Sequence, residues 1–174
     1  RKLLRSPKEL DGNYSIKKDT KIICDWAFEG CTSLRSLVVP RGYKHWKGAF
    51  YDCSSLSSIV ISDSVTSIGE RAFWGCSSLS SIVIPNSVTS VGKCAFYDCS
   101  SLSSIIIPDS VTSIGDSTFW GCSSLSSLVI PDSVTSIGVC AFRHCSSLSN
   151  VVIPDRITSI GCYAFSDCSS LSSI

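Results

Sequence analysis

Residues 76–96 read CSSLSSIVIPNSVTSVGKCAF, and residues 99–119 read CSSLSSIIIPDSVTSIGDSTF. The repetition extends over most of the chain, and one phenylalanine marks each copy, at a spacing of 22 and then of 23 residues. The marking residues are Phe28, Phe50, Phe73, Phe96, Phe119, Phe142 and Phe165. A fixed period of this length is typical of solenoids, because one repeat cannot bury its apolar face alone and neighbouring repeats must stack.

The first half of each repeat predicts a strand, and residues 102–107 serve as the example. Their L-x-x-I-x-I pattern has the two-residue alternation of a short strand with one face inward. Pro108 ends the strand because it has no N–H to donate to a sheet. Val111 and Ile114 are expected to turn inward from the next segment.

The second half of each repeat predicts a short helical turn. Gly115 allows a sharp bend, and the three-residue spacing of Phe119 and Cys122 places both side chains on one face of a helix. The predicted fold class is therefore α/β: a solenoid of about seven 23-residue coils, each with one short strand and one short helical turn.

The domain organisation follows from where the repeat is visible. Residues 1–15 lack the pattern and are expected to form an N-terminal cap or lead segment, and residues 16–174 are expected to form the solenoid. The sequence stops within a repeat, so we expect an open edge that is a candidate for end-to-end self-association.

Composition excludes several classes of function. The net charge of +1 gives no electrostatic basis for binding nucleic acid or an acidic membrane. There is no run of 18 or more apolar residues, so no membrane span is expected. The sequence contains no G-x-S-x-G, G-x-G-x-x-G or phosphate-loop motif, so we expect neither an enzyme nor a cofactor.

The cysteines follow the repeat rather than a disulfide pattern. Seven of the 11 cysteines recur once per repeat, and an odd total cannot pair completely. These seven are Cys31, Cys53, Cys76, Cys99, Cys122, Cys145 and Cys168. We interpret them as buried thiols that act as small apolar fillers, and we expect Cys24, Cys94, Cys140 and Cys162 to be more accessible. No C-x-x-C pair is present and only two histidines occur, so no metal site is predicted.

Three surfaces are candidates for ligand binding. The first is the outward face of the strands, where one apolar residue per repeat is predicted to form an exposed stripe: Val60, Val83, Ile106, Val129 and Val152, flanked by Ser58, Ser81, Ser104, Ser127 and Asn150. The alternative is that β-branched residues are simply good strand formers.

The second candidate is the irregular segment RGYKHWKG at residues 41–48, where Tyr43, Lys44 and Trp46 could hold a sugar ring or an acidic patch. The alternative, which we favour, is a degenerate repeat in which the Trp or His fills the core. The third candidate is the variable position after each phenylalanine: Tyr51, Trp74, Tyr97, Trp120, Arg143 and Ser166. There we favour partial burial against neighbouring coils.

The repeated pattern is CSSLSSIxIPxSVTSIGxxAF. It has a proline after the strand, a glycine before the Ala-Phe pair and a cysteine three residues after the phenylalanine. This pattern resembles the BspA-like, or Treponema pallidum-type, leucine-rich repeat over residues 16–174. The prolines and glycines are Pro40, Pro85, Pro108, Pro131 and Pro154, and Gly69, Gly92, Gly115, Gly138 and Gly161. The segment SPKELDGNYSIKKDTKIICDWAF also resembles Bacteroides-type members. Members of this family are typically bacterial, and several resemble surface proteins that bind host matrix proteins or other cells.

The resemblance implies binding rather than catalysis. We expect a non-enzymatic module that recognises a protein or a glycan, with a host matrix protein among the candidate ligands, on the cell surface or secreted. The alternative is an intracellular, cytoplasmic scaffold for protein–protein interaction. An export signal upstream of Arg1 would favour the first of these.

Overall fold

A computed structural model describes residues 2–3, 10–16, 22–39 and 46–173. Within these ranges the chain winds into a parallel β-solenoid of about six turns. The strands are β1 (Lys2–Leu3), β2 (Gly12–Ser15), β3 (Ile22–Ile23), β4 (Leu34–Val39), β5 (Ser58–Ile61), β6 (Ser67–Ile68), β7 (Ser81–Val83), β8 (Ser90–Val91), β9 (Ser104–Ile106), β10 (Ser113–Ile114), β11 (Ser127–Val129), β12 (Ser136–Ile137), β13 (Asn150–Val152) and β14 (Ser159–Ile160).

Each complete coil contributes two strands, one to each of two long faces. The strand face is built by β2, β4 and β5 in one parallel sheet and by β7, β9, β11 and β13 in another. The second face is one parallel sheet in the order β14-β12-β10-β8-β6, and β1 pairs with β3. Ser81 pairs with Ser104, and Ser127 with Asn150. Identical positions of successive repeats are therefore aligned in rows along the solenoid.

The prediction of a helical turn in each coil is wrong, because the described residues contain no helix. The amide of Ala95 bonds within its own turn, to the Gly92 carbonyl at 3.2 Å, but the next amide, of Phe96, bonds across to Thr118 of the following coil at 2.9 Å. A helix would require every amide to reach a carbonyl four residues earlier. Cys94 and Asp98 also adopt φ values of 55° each, which breaks the right-handed path twice.

The turn segment of each coil is thus a chain of tight turns whose alternate amides join the coils. The same pattern recurs at Tyr97, which bonds to Cys94, and at Asp98, which bonds to Trp120. We call this surface, which runs from the glycine to the cysteine of each repeat, the turn side. The fold class is therefore all-β rather than α/β, with inter-coil hydrogen bonds on the turn side as well as in the sheets.

The predicted count of seven coils is also wrong. The seven phenylalanines mark the boundaries of six intervals, and after Phe165 the described chain adds only an isolated bridge between Asn150 and Ser173. The second strand of each coil was missed as well, because its two residues, such as Ser113 and Ile114 of β10, are too short to show an alternating pattern.

The core is a stack of identical rows. The seven phenylalanine rings stack at centroid distances between 5.3 and 5.4 Å, and successive rings are one repeat apart. Leucine, isoleucine and valine rows surround them, and Val111 and Ile114 point inward as predicted. Glycine is needed where backbones approach: a Cβ on Gly138 would lie 2.5 Å from the Asp116 amide nitrogen. Because neighbouring coils bury these rows against each other, the stack is the main source of stability.

Candidate binding surface on the strand face

The strand face carries a continuous exposed apolar stripe, at the residues that the sequence predicted. The exposed fractions are 60% for Val60, 72% for Val83, 73% for Ile106, 77% for Val129 and 70% for Val152. These five residues are called the strand stripe. Val83, Ile106, Val129 and Val152 lie on paired strands, and Val60 lies one coil earlier, on β5 of the neighbouring sheet. At roughly 4.8 Å per coil, the stripe is about 19 Å long.

The alternation within each strand produces this exposure. In β9, Ser104 and Ile106 point outward while Ile105 between them is buried. The core fixes the inward residue, and a shift of one residue would expose Ile105 and bury Ser104. The outward position therefore lies mostly outside the core.

Serine rows border the stripe on the side where the strands begin. The Ser103 hydroxyl donates to the Ser80 carbonyl at 3.2 Å, and Ser149 donates to Ser126 at 3.3 Å. A second row, which includes Ser123 and Ser146, donates in the same way. The abundant serines therefore join coil to coil, and this border is polar but uncharged.

An acidic row borders the stripe on the side where the strands end. It consists of the exposed residues Asp63, Asp109, Asp132 and Asp155, and Asn86 holds the same position in the intervening coil. Each lies in the turn that the following Val or Ile closes, as when the Val111 amide donates to the Pro108 carbonyl at 3.0 Å. Sequence reasoning missed this row, although its signal is the Pro-Asp pair that follows each of β9, β11 and β13.

The turn side presents a different arrangement, an aromatic row whose rings contact each other. Trp74 and Tyr97 stack at 3.7 Å between ring centroids, and Tyr97 and Trp120 at 4.3 Å. Tyr51 extends the row at one end, and the His144 ring meets Trp120 edge-on at the other. The ring faces cover one another, so the row offers a ligand mainly ring edges. The partial burial expected for this position is what the structure has.

Charges on the turn side are paired between coils. Lys47 contacts Glu70 at 3.1 Å, and Lys93 contacts Asp116 at 3.2 Å. The hydrogen bond from Lys47 lowers the pKa of Glu70. The Val139 amide, and then Lys93, lower the pKa of Asp116. The four residues stand at one position of successive repeats, so their signs alternate along the row.

The repeated cysteines are buried thiols that also donate hydrogen bonds. Cys99 donates to the Phe73 carbonyl at 3.1 Å and Cys122 to Phe96 at 3.2 Å. Burial raises the pKa of Cys53 to about 12 and raises that of Cys122 well above its usual range. All the cysteines are free thiols. Of the four outside the row, Cys162 is exposed, Cys24 and Cys140 are half-buried, and Cys94 is buried, contrary to the expected accessibility.

The irregular segment at residues 41–48 is described only from residue 46 onward, and Trp46 lies in the core. Tyr43 and Lys44 lie outside the described residues, so their assignment to a site stays a prediction. Trp46 is fully buried, one repeat before Gly69, with its ring edge-on to Phe50 at 5.9 Å and to Phe73 at 6.3 Å. This burial favours the alternative in which Trp46 fills the core of a degenerate repeat.

Neither a metal cluster nor a membrane helix is found in the part of the chain that the structure describes. No group of three His, Cys, Asp or Glu residues there could hold a metal ion. No helix there is long and apolar enough to cross a membrane.

Comparison with known families identifies the repeat. The sequence model of the BspA type leucine rich repeat region, with six copies, matches residues 12–125 and 46–172. A comparison with curated protein sequences finds no match.

Solved structures with the same fold are bacterial leucine-rich repeat proteins. The T. pallidum leucine rich repeat protein is 31% identical with a TM-score of 0.70, and the match covers 78% of this chain and 77% of that one. A Bacteroides ovatus leucine-rich repeat protein is 25% identical with a TM-score of 0.51, over 96% of this chain and 64% of that one. A leucine rich cell surface protein from Faecalibacterium prausnitzii is 26% identical with a TM-score of 0.53, over 89% and 63%. The chain thus spans just under two thirds of the length of the last two.

Proposed function

Because the chain belongs to the BspA type leucine rich repeat family, whose members are typically protein-binding or adhesion modules, we propose that it is a non-enzymatic binding module that recognises a protein or glycan ligand through its strand face. The observation that carries the proposal is the exposure of all five strand-stripe residues in one unbroken row. Contiguous exposed apolar surface of this kind often marks an interaction site.

The contrast with the rest of the surface supports this assignment. Along the turn side the aromatic rings cover each other, and Lys93 is paired with Asp116 of the next coil. On the strand face the apolar side chains are not covered by any other described part of the chain. A partner that buried part of each of five β-branched side chains would recover about 25 cal/mol per Å² of apolar surface.

We propose a location on the cell surface for the same module. The support is the family itself and the description of the Faecalibacterium prausnitzii relative as a cell surface protein. The alternative, a cytoplasmic scaffold, uses the same face for a partner within the cell. End-to-end self-association of the solenoid stays a prediction, and sedimentation velocity over a range of concentrations checks it.

The test is a binding screen of the 174-residue chain against matrix proteins and glycans, with Val83→Thr/Ile106→Thr/Val129→Thr measured alongside. Threonine keeps the β-branched shape and removes apolar surface, so the fold is expected to persist. We expect a ligand that binds the parent and loses at least about tenfold in affinity for the triple variant. Equal binding to both proteins, or no binding by the parent at micromolar concentration, would contradict the proposal.

A further inference from the structure

The acidic row lies beside the strand stripe from Asp63 to Asp155, with Asn86 in the coil between Asp63 and Asp109. In the type repeat Ile106 and Asp109 are three residues apart, a chain distance of at most about 10 Å. Because every repeat aligns with the next, the stripe and the acidic row run side by side along the solenoid axis. The opposite border of the stripe is the uncharged serine row.

No carboxylate of the acidic row is paired with a cation among the described residues. Asp63, Asp109, Asp132 and Asp155 form no ion pair with another described residue, whereas Glu70, Asp116 and Asp167 on the turn side each have one. Arg156, which follows Asp155, is the one basic residue within the described turns that hold this row, and the two form no ion pair.

The sign pattern distinguishes this row from an ordinary charged face. On the turn side, Lys47, Glu70, Lys93 and Asp116 alternate in sign, so each coil neutralises its neighbour. In the acidic row, three carboxylates follow one another in consecutive coils, at Asp109, Asp132 and Asp155. Like charges at about 4.8 Å spacing repel, and none of the three carboxylates forms an ion pair with a described residue.

The turn itself does not require a carboxylate. Asn86 occupies the same position, and its turn closes in the same way, with the Val88 amide donating to the Pro85 carbonyl at 3.0 Å. An uncharged residue therefore supports the local backbone as well as Asp109 does. The charge is therefore not needed for the turn, and it is available to a partner.

From these observations, and resting on the proposed function, we propose that the ligand of the strand face is a protein segment that carries apolar side chains beside a row of Lys or Arg. Its apolar side chains cover the strand stripe, and its cations lie over the acidic row. Such an arrangement fixes both the orientation and the direction of approach, because the serine border offers no matching charge.

A second copy of this chain does not fit the same surface. The strand face of the described repeats from Ser58 to Val152 carries no basic side chain on its strands. A face-to-face pair would bury the stripes while leaving both acidic rows without cations. A glycan without positive charge would likewise leave the row unmatched.

The test uses two synthetic amphipathic peptides with the same leucine stripe, one with lysine and one with glutamate on the polar face. About 14 residues of helix match the roughly 19 Å of the strand stripe, and the helical rise of about 5.4 Å per turn is closer to the coil spacing than the roughly 6.8 Å between same-side residues of a strand. Binding of each peptide to the 174-residue chain is measured by amide chemical-shift titration, at low and at high salt.

We expect the Leu/Lys peptide to bind with shifts centred on β7, β9 and β11, and the Leu/Glu peptide not to bind. Asp109→Asn/Asp132→Asn is expected to weaken the Leu/Lys complex about tenfold, and Asn86→Asp to strengthen it about threefold. Asp116→Asn, which removes a paired carboxylate from the turn side, is the matched control and should leave the affinity unchanged.

Several results would overturn the basic partner. Absence of Leu/Lys binding up to about 1 mM would do so, as would equal affinity for the parent and Asp109→Asn/Asp132→Asn. If the parent dimerises with increasing concentration and Val83→Thr/Ile106→Thr/Val129→Thr does not, the partner is a second copy of this chain instead. A ligand from the binding screen can distinguish the two proposals. If Val83→Thr/Ile106→Thr/Val129→Thr no longer binds it but Asp109→Asn/Asp132→Asn still does, the strand face remains the site, and only the proposal of a basic partner is wrong.

Discussion

The strand face and the turn side are made by the same repeat, but they differ in how far their side chains contact one another. On the turn side, side chains of neighbouring coils contact each other: Trp74 stacks on Tyr97, and Lys93 pairs with Asp116. On the strand face, Val83 and Ile106 lie one coil apart and outside the core, with about three quarters of each side chain exposed. Side chains that contact each other between coils stabilise the solenoid, and side chains that stay exposed are available for a partner.

The largest effect on stability is expected for a substitution in the core, on which both surfaces pack. Phe119→Ala removes one ring from a stack in which it contacts Phe96 and Phe142 at 5.4 Å each. We expect a loss of about 3–5 kcal/mol in the free energy of unfolding, because the cavity cannot collapse between two fixed coils. Urea denaturation of the variant and the parent measures it, and an unchanged midpoint would contradict the stacked core.

On the turn side, Trp120→Ala is expected to cost about 2 kcal/mol in the free energy of unfolding. The ring is half-buried and stacks on Tyr97, so the variant loses both apolar burial and a ring contact. The strand-face change Val129→Thr is the control, with an expected cost within about 0.5 kcal/mol. Equal costs for the two variants, measured by thermal unfolding, would remove the distinction between the surfaces.

Alkaline pH tests the buried thiol row. Burial raises the pKa values of Cys99 and Cys122, so in the folded state both thiols stay protonated at a pH where the unfolded chain has lost those protons. Their contribution to stability is complete below the unfolded pKa, near 9, and is lost as the pH rises above it. Each such thiol contributes a slope of about 1.4 kcal/mol per pH unit.

The measurement is urea denaturation under reducing conditions between about pH 8 and pH 11, a range that begins below the usual pKa of a thiol and ends above it. Cys122→Ala should give a smaller alkaline slope than the parent, even though it is less stable at pH 8. A slope that does not change would mean that this thiol titrates alike in the folded and unfolded chains.

The smallest effect is expected for a single charge pair on the turn side. Lys93→Gln breaks the 3.2 Å contact with Asp116, where both side chains are about half exposed. We expect a loss of no more than about 0.5–1 kcal/mol, which decreases as salt is added. A larger loss, or one that salt leaves unchanged, would show that the pair has a role beyond surface electrostatics.

The sequence predicted the rows but not the path of the chain between them. The spacing of the phenylalanines and the alternation around Ile105 are local patterns, and both give the correct buried and exposed positions. The prediction of a helical turn was wrong because a three-residue spacing, such as that from Phe119 to Cys122, fits both a helix and successive tight turns. The choice depends on amides such as that of Phe96, which bond to the next coil, and a single repeat contains no information about that bond.

The candidate surface shows the same limit. The strand stripe could be predicted because outward residues of a strand are visible in the pattern. Asp109 appears in one repeat as an ordinary turn residue, and it becomes part of an acidic row only when Asp132 and Asp155 align with it. Trp46 appears in the sequence beside basic residues and could be interpreted as a surface group, whereas its environment of Phe50 and Phe73 is set by coils further along the chain.

The most direct test of the account measures stability and affinity on the same samples for one variant of each surface. The strand-face variant is Val83→Thr/Ile106→Thr/Val129→Thr, and the turn-side variant is Trp120→Ala, both measured with a ligand found in the binding screen. We predict that the strand-face variant melts close to the parent and loses the ligand, while the turn-side variant melts lower and keeps it. A strand-face variant that binds like the parent, or a turn-side variant that loses the ligand while still folded, would contradict the account.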